Sequence, residues 1–346
     1  MASGSARLKR AVHGVILSII AVGVALTTLE LLLRVYHGKL FTMASQLPQP
    51  PNRWATPRAE YHPRLGWVPR PGDFALTAQE RGSVDQAGLR KSGPPVTSTK
   101  RPIVAVGDSF TFGDEVLDEE TWPARLQQRL QVPVINGGVF AYGLDQAVLR
   151  ATLLLEKYQP RVVLLAFIGH DVIRNEFSYY WAWKPYFEFA LGELSLKNVP
   201  VPRGPPPTPP LGPLRSTLSH SFLCSAVLRR LAPRWWHYGG IERKHRDGMA
   251  VALALLARLD TLVRSADAAL VIIALGTNGQ ISGNRAALAV IEQARAEGLN
   301  VLNLVPEVDK LLADGPANLF TSRGHYSPRL NDSVATRIAE YLGQRF

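Results

Sequence analysis

The chain has 346 residues, 46% of them hydrophobic and 19% charged, a balance that excludes a disordered polypeptide and allows one large domain or two small ones. Lys and Arg outnumber Asp and Glu by 39 to 28, a formal charge of +11, which favours an anionic lipid surface, an acidic polysaccharide or a nucleic acid. No zinc-finger spacing, basic heptad or aromatic RNA-binding signature accompanies that charge, so nucleic acid is not expected as a partner. The single cysteine, Cys224, excludes an intrachain disulfide and a cysteine-based zinc site. Beside Phe222 and Leu223 it reads as a small buried hydrophobe.

At the N-terminus, Arg7, Lys9 and Arg10 precede an apolar run from Ala11 to Leu33, broken by His13 and Glu30. As a helix this run would rise about 34 Å, enough to cross a hydrocarbon core of about 30 Å. Glu30 stands four residues before Arg34, so the two can pair at the far interface. A cleaved signal peptide is the competing reading, since Val15 to Ala25 alone would make its apolar core. The run resumes at Leu26, however, which favours an uncleaved, single-pass anchor. The basic tail argues for an N-terminus inside and a periplasmic or otherwise extracytoplasmic body, although Arg34 and Lys39 flank the other end.

The expected organisation is a basic tail over 1–10, a transmembrane anchor over 11–35, a linker over 36–60 and a folded domain over 61–346. Prolines 48, 50, 51 and 57 mark the linker. Short turn-rich pieces fill Tyr61 to Ser92. From there strands and helices alternate: strands at Pro102–Gly107, Val132–Asn136, Arg161–Ile168, Ala269–Leu275 and Val301–Val305, and helices at Thr121–Leu130, Leu144–Tyr158, Arg246–Ala266, Asn284–Gly298 and Asn331–Gln344. Apolar strands separated by amphipathic helices predict an α/β fold with a five-stranded parallel sheet covered on both faces. An insertion over about 176–244 interrupts the pattern. It opens with Phe177, Tyr179, Tyr180, Trp181, Trp183, Tyr186, Phe187 and Phe189, which can pack a cap, line a cleft or touch a membrane. A hairpin is expected around Leu191-Gly192-Glu193, then a stiff proline-rich connector from Pro200 to Pro213. Arg229, Arg230, Arg234, Trp235, Trp236, Arg243, Lys244 and Arg246 form a basic aromatic stretch, suited to anionic lipid or glycan or simply to a solvated helix end.

Ligands of an open α/β sheet gather at the carboxyl ends of its strands. The first strand ends in Gly107-Asp108-Ser109, the second in Asn136-Gly137-Gly138, the third in Gly169-His170-Asp171, and His325 precedes the last helix. A serine hydroxyl becomes a useful nucleophile once an imidazole accepts its proton. Backbone N–H groups in a glycine turn can hold a developing oxyanion, each donor contributing roughly 3–4 kcal/mol. Ser109 is therefore the candidate nucleophile and His325 its base, with the N–H groups of Ser109 and Gly138 as oxyanion donors. His13, His37, His62, His220, His237 and His245 show no metal-ligand spacing, and no metal or cofactor is expected.

Gly107-Asp108-Ser109 followed by Phe110-Thr111-Phe112-Gly113 resembles the first block of the SGNH/GDSL hydrolases, and Asn136-x-Gly138 resembles their second. Leu65-Gly66-Trp67, Pro71-Gly72, Asp85-Gln86-Ala87-Gly88-Leu89-Arg90, Thr121-Trp122-Pro123, Lys184-Pro185-Tyr186-Phe187 and Gly192-Glu193-Leu194 extend the likeness to membrane-anchored bacterial members. The resemblance implies a flavodoxin-like three-layer α/β/α sandwich and ester hydrolysis or acyl transfer, often on glycans or lipids.

Two positions depart from that pattern. The third block carries His170 where the family has an oxyanion-donating Asn; an imidazole N–H can take the same part, or His170 only fills the space. The fifth block has Ser322 where an Asp would orient the histidine, a charge whose loss costs about 3 × 10⁴ in kcat in a well-studied triad. The backbone carbonyl of Ser322 is one candidate replacement and Asp171 another. The expected function is a serine esterase or deacylase acting on an acylated glycan or lipid of the cell envelope. The alternatives are an O-acyltransferase on the same scaffold and a catalytically lapsed glycan-binding or assembly protein.

Overall fold

The computed structural model describes residues 2–41, 57–78, 80–180, 182–204, 212–232, 236, 241–278, 281–315 and 318–345. Most of the expected linker, the proline-rich residues 205–211, and Trp181, Arg234, Trp235 and His237 lie outside them. The chain divides into two units, one made of 1–51 with 206–240 and the other of 52–205 with 241–346. The insertion expected over 176–244 is thus split: its first part and its last residues belong to the larger unit, and only 206–240 joins the N-terminal segment.

In the smaller unit, helix α1 (Ala2–Tyr36) contains a 25-residue stretch, Val12–Tyr36, long and apolar enough to cross a membrane. The larger unit begins with two antiparallel strand pairs, Ala59–His62 with Gly66–Pro69 and Gly72–Ala75 with Arg81–Val84. Trp67 of the first pair is fully buried and donates from Nε1 to the carbonyl of Phe140 at 3.0 Å.

The alternating part follows: β1 (Ile103–Val106), α2 (Ser109–Phe112), α3 (Trp122–Leu130), β2 (Val134–Asn136), α4 (Leu144–Tyr158), β3 (Val162–Phe167) and α5 (Gly169–Arg174). The hairpin of Tyr186–Ala190 with Glu193–Lys197 turns at Leu191 and Gly192, both at positive φ, the requirement of a tight two-residue turn. In the smaller unit lie α6 (Pro213–Leu218) and α7 (Phe222–Leu231). The larger unit resumes with α8 (Gly248–Ser265), β4 (Ala269–Ala274), α9 (Ile281–Ala296), β5 (Val301–Asn303), α10 (Val305–Asp314) and α11 (Pro328–Arg345).

The five strands run parallel in the order β2-β1-β3-β4-β5, the doubly wound order whose ligand crevice opens between β1 and β3. Strand residues alternate between two apolar layers. Val104, Val106, Val163 and Leu165 face α4, α8 and α9 through Val148, Leu255 and Val290. Ile103, Ala105, Leu164 and Ala166 face α3, α10 and α11 through Leu126, Val308 and Val334. Each fully buried aliphatic side chain contributes about 1.5–3 kcal/mol, so a one-residue slip of any strand would exchange both layers at once.

Helix α10 is the element the sequence reading assigned otherwise. The strand expected to continue to Val305 stops at Asn303, whose Oδ1 accepts the Val305 N–H at 3.1 Å, and Pro306 starts the helix. The aromatic block divides too: Phe177, Tyr179 and Phe187 are buried, whereas Phe189 is exposed. Cys224 is half-buried rather than buried.

Candidate active site

The turn from β1 into α2 presents Ser109. Gly107 lies against β3 so closely that a Cβ there would come within 2.3 Å of the Ala166 carbonyl oxygen. Asp108 then caps α2, its Oδ1 accepting the Phe110 N–H at 2.9 Å. Ser109 is the first residue of that helix, where backbone amides have no intrahelical acceptor.

His325 reaches the same place from the other end of the chain. A tight loop brings Phe320 opposite Tyr326, closed by the Thr321 N–H on the His325 carbonyl at 2.8 Å. The buried Tyr326 hydroxyl donates to the Gly276 carbonyl at 2.7 Å and pins the loop to the end of β4. The result is 3.0 Å between His325 Nε2 and Ser109 Oγ.

The other ring nitrogen meets a residue the sequence reading passed over. Glu115 Oε2 lies 2.8 Å from His325 Nδ1. The Glu115 carboxylate also accepts from Thr321 Oγ1 at 2.6 Å, the Arg323 N–H at 3.1 Å, Arg323 Nε at 3.2 Å and Ser322 Oγ at 3.3 Å. Burial alone would raise its pKa, but the hydrogen bonds from Thr321, His325 and Arg323 outweigh it and hold the group at about 2. Glu115 adopts φ +69°, a left-handed conformation costing of order 1 kcal/mol or more for a residue with a side chain. The capping glycine of α2, Gly113, also at positive φ, begins this reversal and turns the chain back toward His325.

Neither orienting group expected from the sequence holds that position. Ser322 donates its hydroxyl to Glu115, so it supports the carboxylate instead of replacing it. Asp171 is committed elsewhere: Oδ2 accepts the Ile168 N–H at 3.0 Å and Oδ1 the Arg174 Nη1 at 2.6 Å. It is buried beside Asp108, and burial together with that neighbouring charge pushes its pKa well up. The missed signal lay in the first block itself, which continues Gly113-Asp114-Glu115 and places a carboxylate six residues beyond the serine.

Gly138 sits where expected, at the end of β2, and only glycine fits, because a Cβ would lie 2.3 Å from the Phe112 nitrogen. Its N–H donates to Asn136 Oδ1 at 3.0 Å, so the turn itself engages the amide. His170 stands at the start of α5 beyond β3, half-buried. Burial and then Arg174 lower its pKa, with Asp108 opposing, which favours the neutral ring with one N–H. Further charged side chains brace the Glu115 loop. Glu80, almost fully buried, accepts from Arg58 Nη1 at 3.2 Å and from Arg323 Nη2, and Arg58 also donates to Asp114 at 2.5 Å.

A hydroxyl, an imidazole and a carboxylate in line, with backbone amides at the head of a helix, form a unit able to deprotonate the serine and stabilise the imidazolium that results. No family model matches the chain, and no curated protein matches it. Solved structures with a similar fold include a protein from Desulfitobacterium hafniense DCB-2 described as lipolytic and of the G-D-S-L family, 15% identical, covering 71% of this chain and 99% of that one with a TM-score of 0.41. Another is a catalytic mutant of an acetylxylan esterase from Geobacillus stearothermophilus, 14% identical over 72% of this chain and 97% of that one, with a TM-score of 0.42. A third is a lipase/acylhydrolase from Enterococcus faecalis, 14% identical over 71% of this chain and 96% of that one, with a TM-score of 0.41.

Proposed function

We propose that the larger unit is a serine ester hydrolase of the SGNH/GDSL type, with Ser109 as nucleophile, His325 as base and Glu115 as the acid that orients it. One observation carries this reading: the unbroken line Ser109 Oγ–His325 Nε2–Glu115, at 3.0 and 2.8 Å. In the first half-reaction Ser109 Oγ adds to the ester carbonyl as its proton passes to His325 Nε2. The tetrahedral intermediate then collapses, and His325 returns the proton to the departing alcohol. In the second half-reaction water, deprotonated by the same imidazole, releases the carboxylic acid and restores Ser109. Glu115 fixes the tautomer with the proton on Nδ1 and stabilises the imidazolium. The Ser109 N–H and the His170 N–H supply oxyanion donors, whereas the Gly138 amide can join them only on leaving Asn136 Oδ1, which it meets at 3.0 Å.

The case for a lapsed enzyme rested on the missing acid before His325 and on His170 in the third block; Glu115 at His325 Nδ1 answers the first of these. Acyl transfer to a sugar hydroxyl passes through the same acyl-enzyme, so it differs only in the acceptor of the second half-reaction. We further propose that α1 is an uncleaved anchor with the body outside the cytoplasm, the basic tail of Arg7, Lys9 and Arg10 holding the N-terminus inside. The substrate is then an acyl ester of an envelope glycan or lipid. Covalent labelling by a fluorophosphonate tests the activated serine without knowledge of the substrate. Wild type should label and Ser109→Ala should not; absence of labelling in correctly folded wild type would overturn the proposal.

A further inference from the structure

The smaller unit has its own logic. Helix α1 enters the apolar region at Ala11, so Glu30 lies about 28 Å further along the helix axis, near the far edge of a hydrocarbon core about 30 Å thick. A carboxylate there is costly unless it is satisfied. Here every acceptor position is used. Glu30 Oε2 accepts from Ser221 Oγ at 2.9 Å and the Leu223 N–H at 2.8 Å, and Oε1 accepts from the Phe222 N–H at 3.1 Å and Arg34 Nε at 2.7 Å. Glu30 thereby caps the N-terminus of α7, a segment about 190 residues away in the chain. Arg34 Nη2 donates to the His220 carbonyl at 2.7 Å, and the His37 ring stacks on Phe222 at 5.3 Å. A folded element is thus locked onto the outer end of the membrane-length helix.

That lock fixes the level of the N-terminal end of α7, and α7 carries an unexplained face. Phe222 and Ser225 are buried on one side, Ser225 accepting from the buried Trp236 Nε1 at 3.1 Å. On the other side Leu223, Val227 and Leu231, spaced four residues apart, form one stripe, Leu223 half-buried, Val227 42% and Leu231 78% exposed. An apolar stripe turned outward at the level of a bilayer boundary matches lipid. Arg230 flanks it and can reach phosphate groups while its stem stays on the apolar surface.

We infer that α7 is an interfacial helix lying on the outer surface of the bilayer, its Leu223–Val227–Leu231 stripe in the acyl boundary and Glu30 of α1 as the clamp that holds it there. The inference rests on α1 being retained as the anchor. It is tested with the full chain in phosphatidylcholine–phosphatidylglycerol vesicles. Cys224→Ser removes the single native thiol, and a nitroxide is placed in turn at Val227→Cys, Leu231→Cys and Ala226→Cys, the last on the exposed side away from the stripe. Collision rates with oxygen and with a water-soluble nickel chelate report depth. The oxygen-to-nickel ratio at 227 and 231 should exceed that at 226 by roughly threefold or more. Glu30→Ala, and more mildly Ser221→Ala, should lower the ratio at 227 and 231 toward that at 226. Equal, nickel-dominated values at all three positions would overturn the inference, as would protection from both reagents, which would mean a protein partner. An unchanged ratio in Glu30→Ala would remove the clamp. Intact mass of the membrane-extracted protein reads the anchor separately: loss of the N-terminal segment defeats the anchor reading, whereas a retained anchor with a wet stripe defeats only the present inference.

Discussion

Glu115 shows how a residue-level requirement can be met from an unexpected place. In the proposed triad the histidine needs a buried negative charge at Nδ1, and nothing in that need specifies which stretch of chain supplies it. Reading the sequence for an acid just before His325 found Ser322 and missed the carboxylate in the serine's own loop, because closeness in space there depends on a positive φ that no spacing rule encodes. Ser109 and His325, by contrast, were legible as the hydroxyl after the first strand and the imidazole before the last helix. Replacing Glu115 by Gln should lower kcat for an activated ester by about 10³–10⁴ with little change in KM, measured by steady-state kinetics. Ser322→Asp should depress activity by about tenfold, since its carboxylate would sit against Glu115 and repel it. The pH dependence has a definite sign. Glu115 falls from 4.5 to about 2 on folding, so its contribution to stability is complete above about 4.5 and fades as pH drops toward 2. The difference in thermal stability between wild type and Glu115→Gln should follow that course in scanning calorimetry, and a constant difference across the range would contradict it.

Among elements, regular alternation was easy to read and interruptions were not. Helix α4 and the hairpin at Leu191-Gly192 follow from apolar spacing and a turn pair, whereas α10 was hidden because Val305 suits a strand as well as the first turn of a proline-started helix. Lys184 illustrates an element-scale contact that periodicity cannot reveal. Its ammonium is fully buried, paired with Asp145 in the first turn of α4, and donates to the Arg174 carbonyl at the end of α5 and to the Phe177 carbonyl. Burial drives the Lys184 pKa down and the Asp145 pKa up, with each partner opposing the shift of the other. Lys184→Met leaves an unpaired buried carboxylate and should cost about 3–5 kcal/mol in urea denaturation of the detergent-solubilised chain, while Lys184→Met with Asp145→Leu should recover much of the loss.

On the scale of the whole molecule, the parallel sheet and its flavodoxin-like order were implied by strand–helix alternation and by the resemblance. The partition into units was not, because residues 206–240 belong with the N-terminal helix through Glu30, Arg34 and His37, polar positions with no periodic signature. With α1 as an anchor and the basic tail inside, protease added to spheroplasts should digest the larger unit, and sealed inverted vesicles should protect it; the reverse pattern would invert the topology. The left-handed turn at Glu115 has one more outcome. The proposed nucleophile and acid share a single short stretch, Ser109 to Glu115, so bringing the three side chains together means docking just one other piece, the loop of Thr321 to His325. Lifting that loop would part the imidazole from both companions in a single motion. Activity could then be lost while the sheet and its two apolar layers stayed whole, an off-state reached without melting.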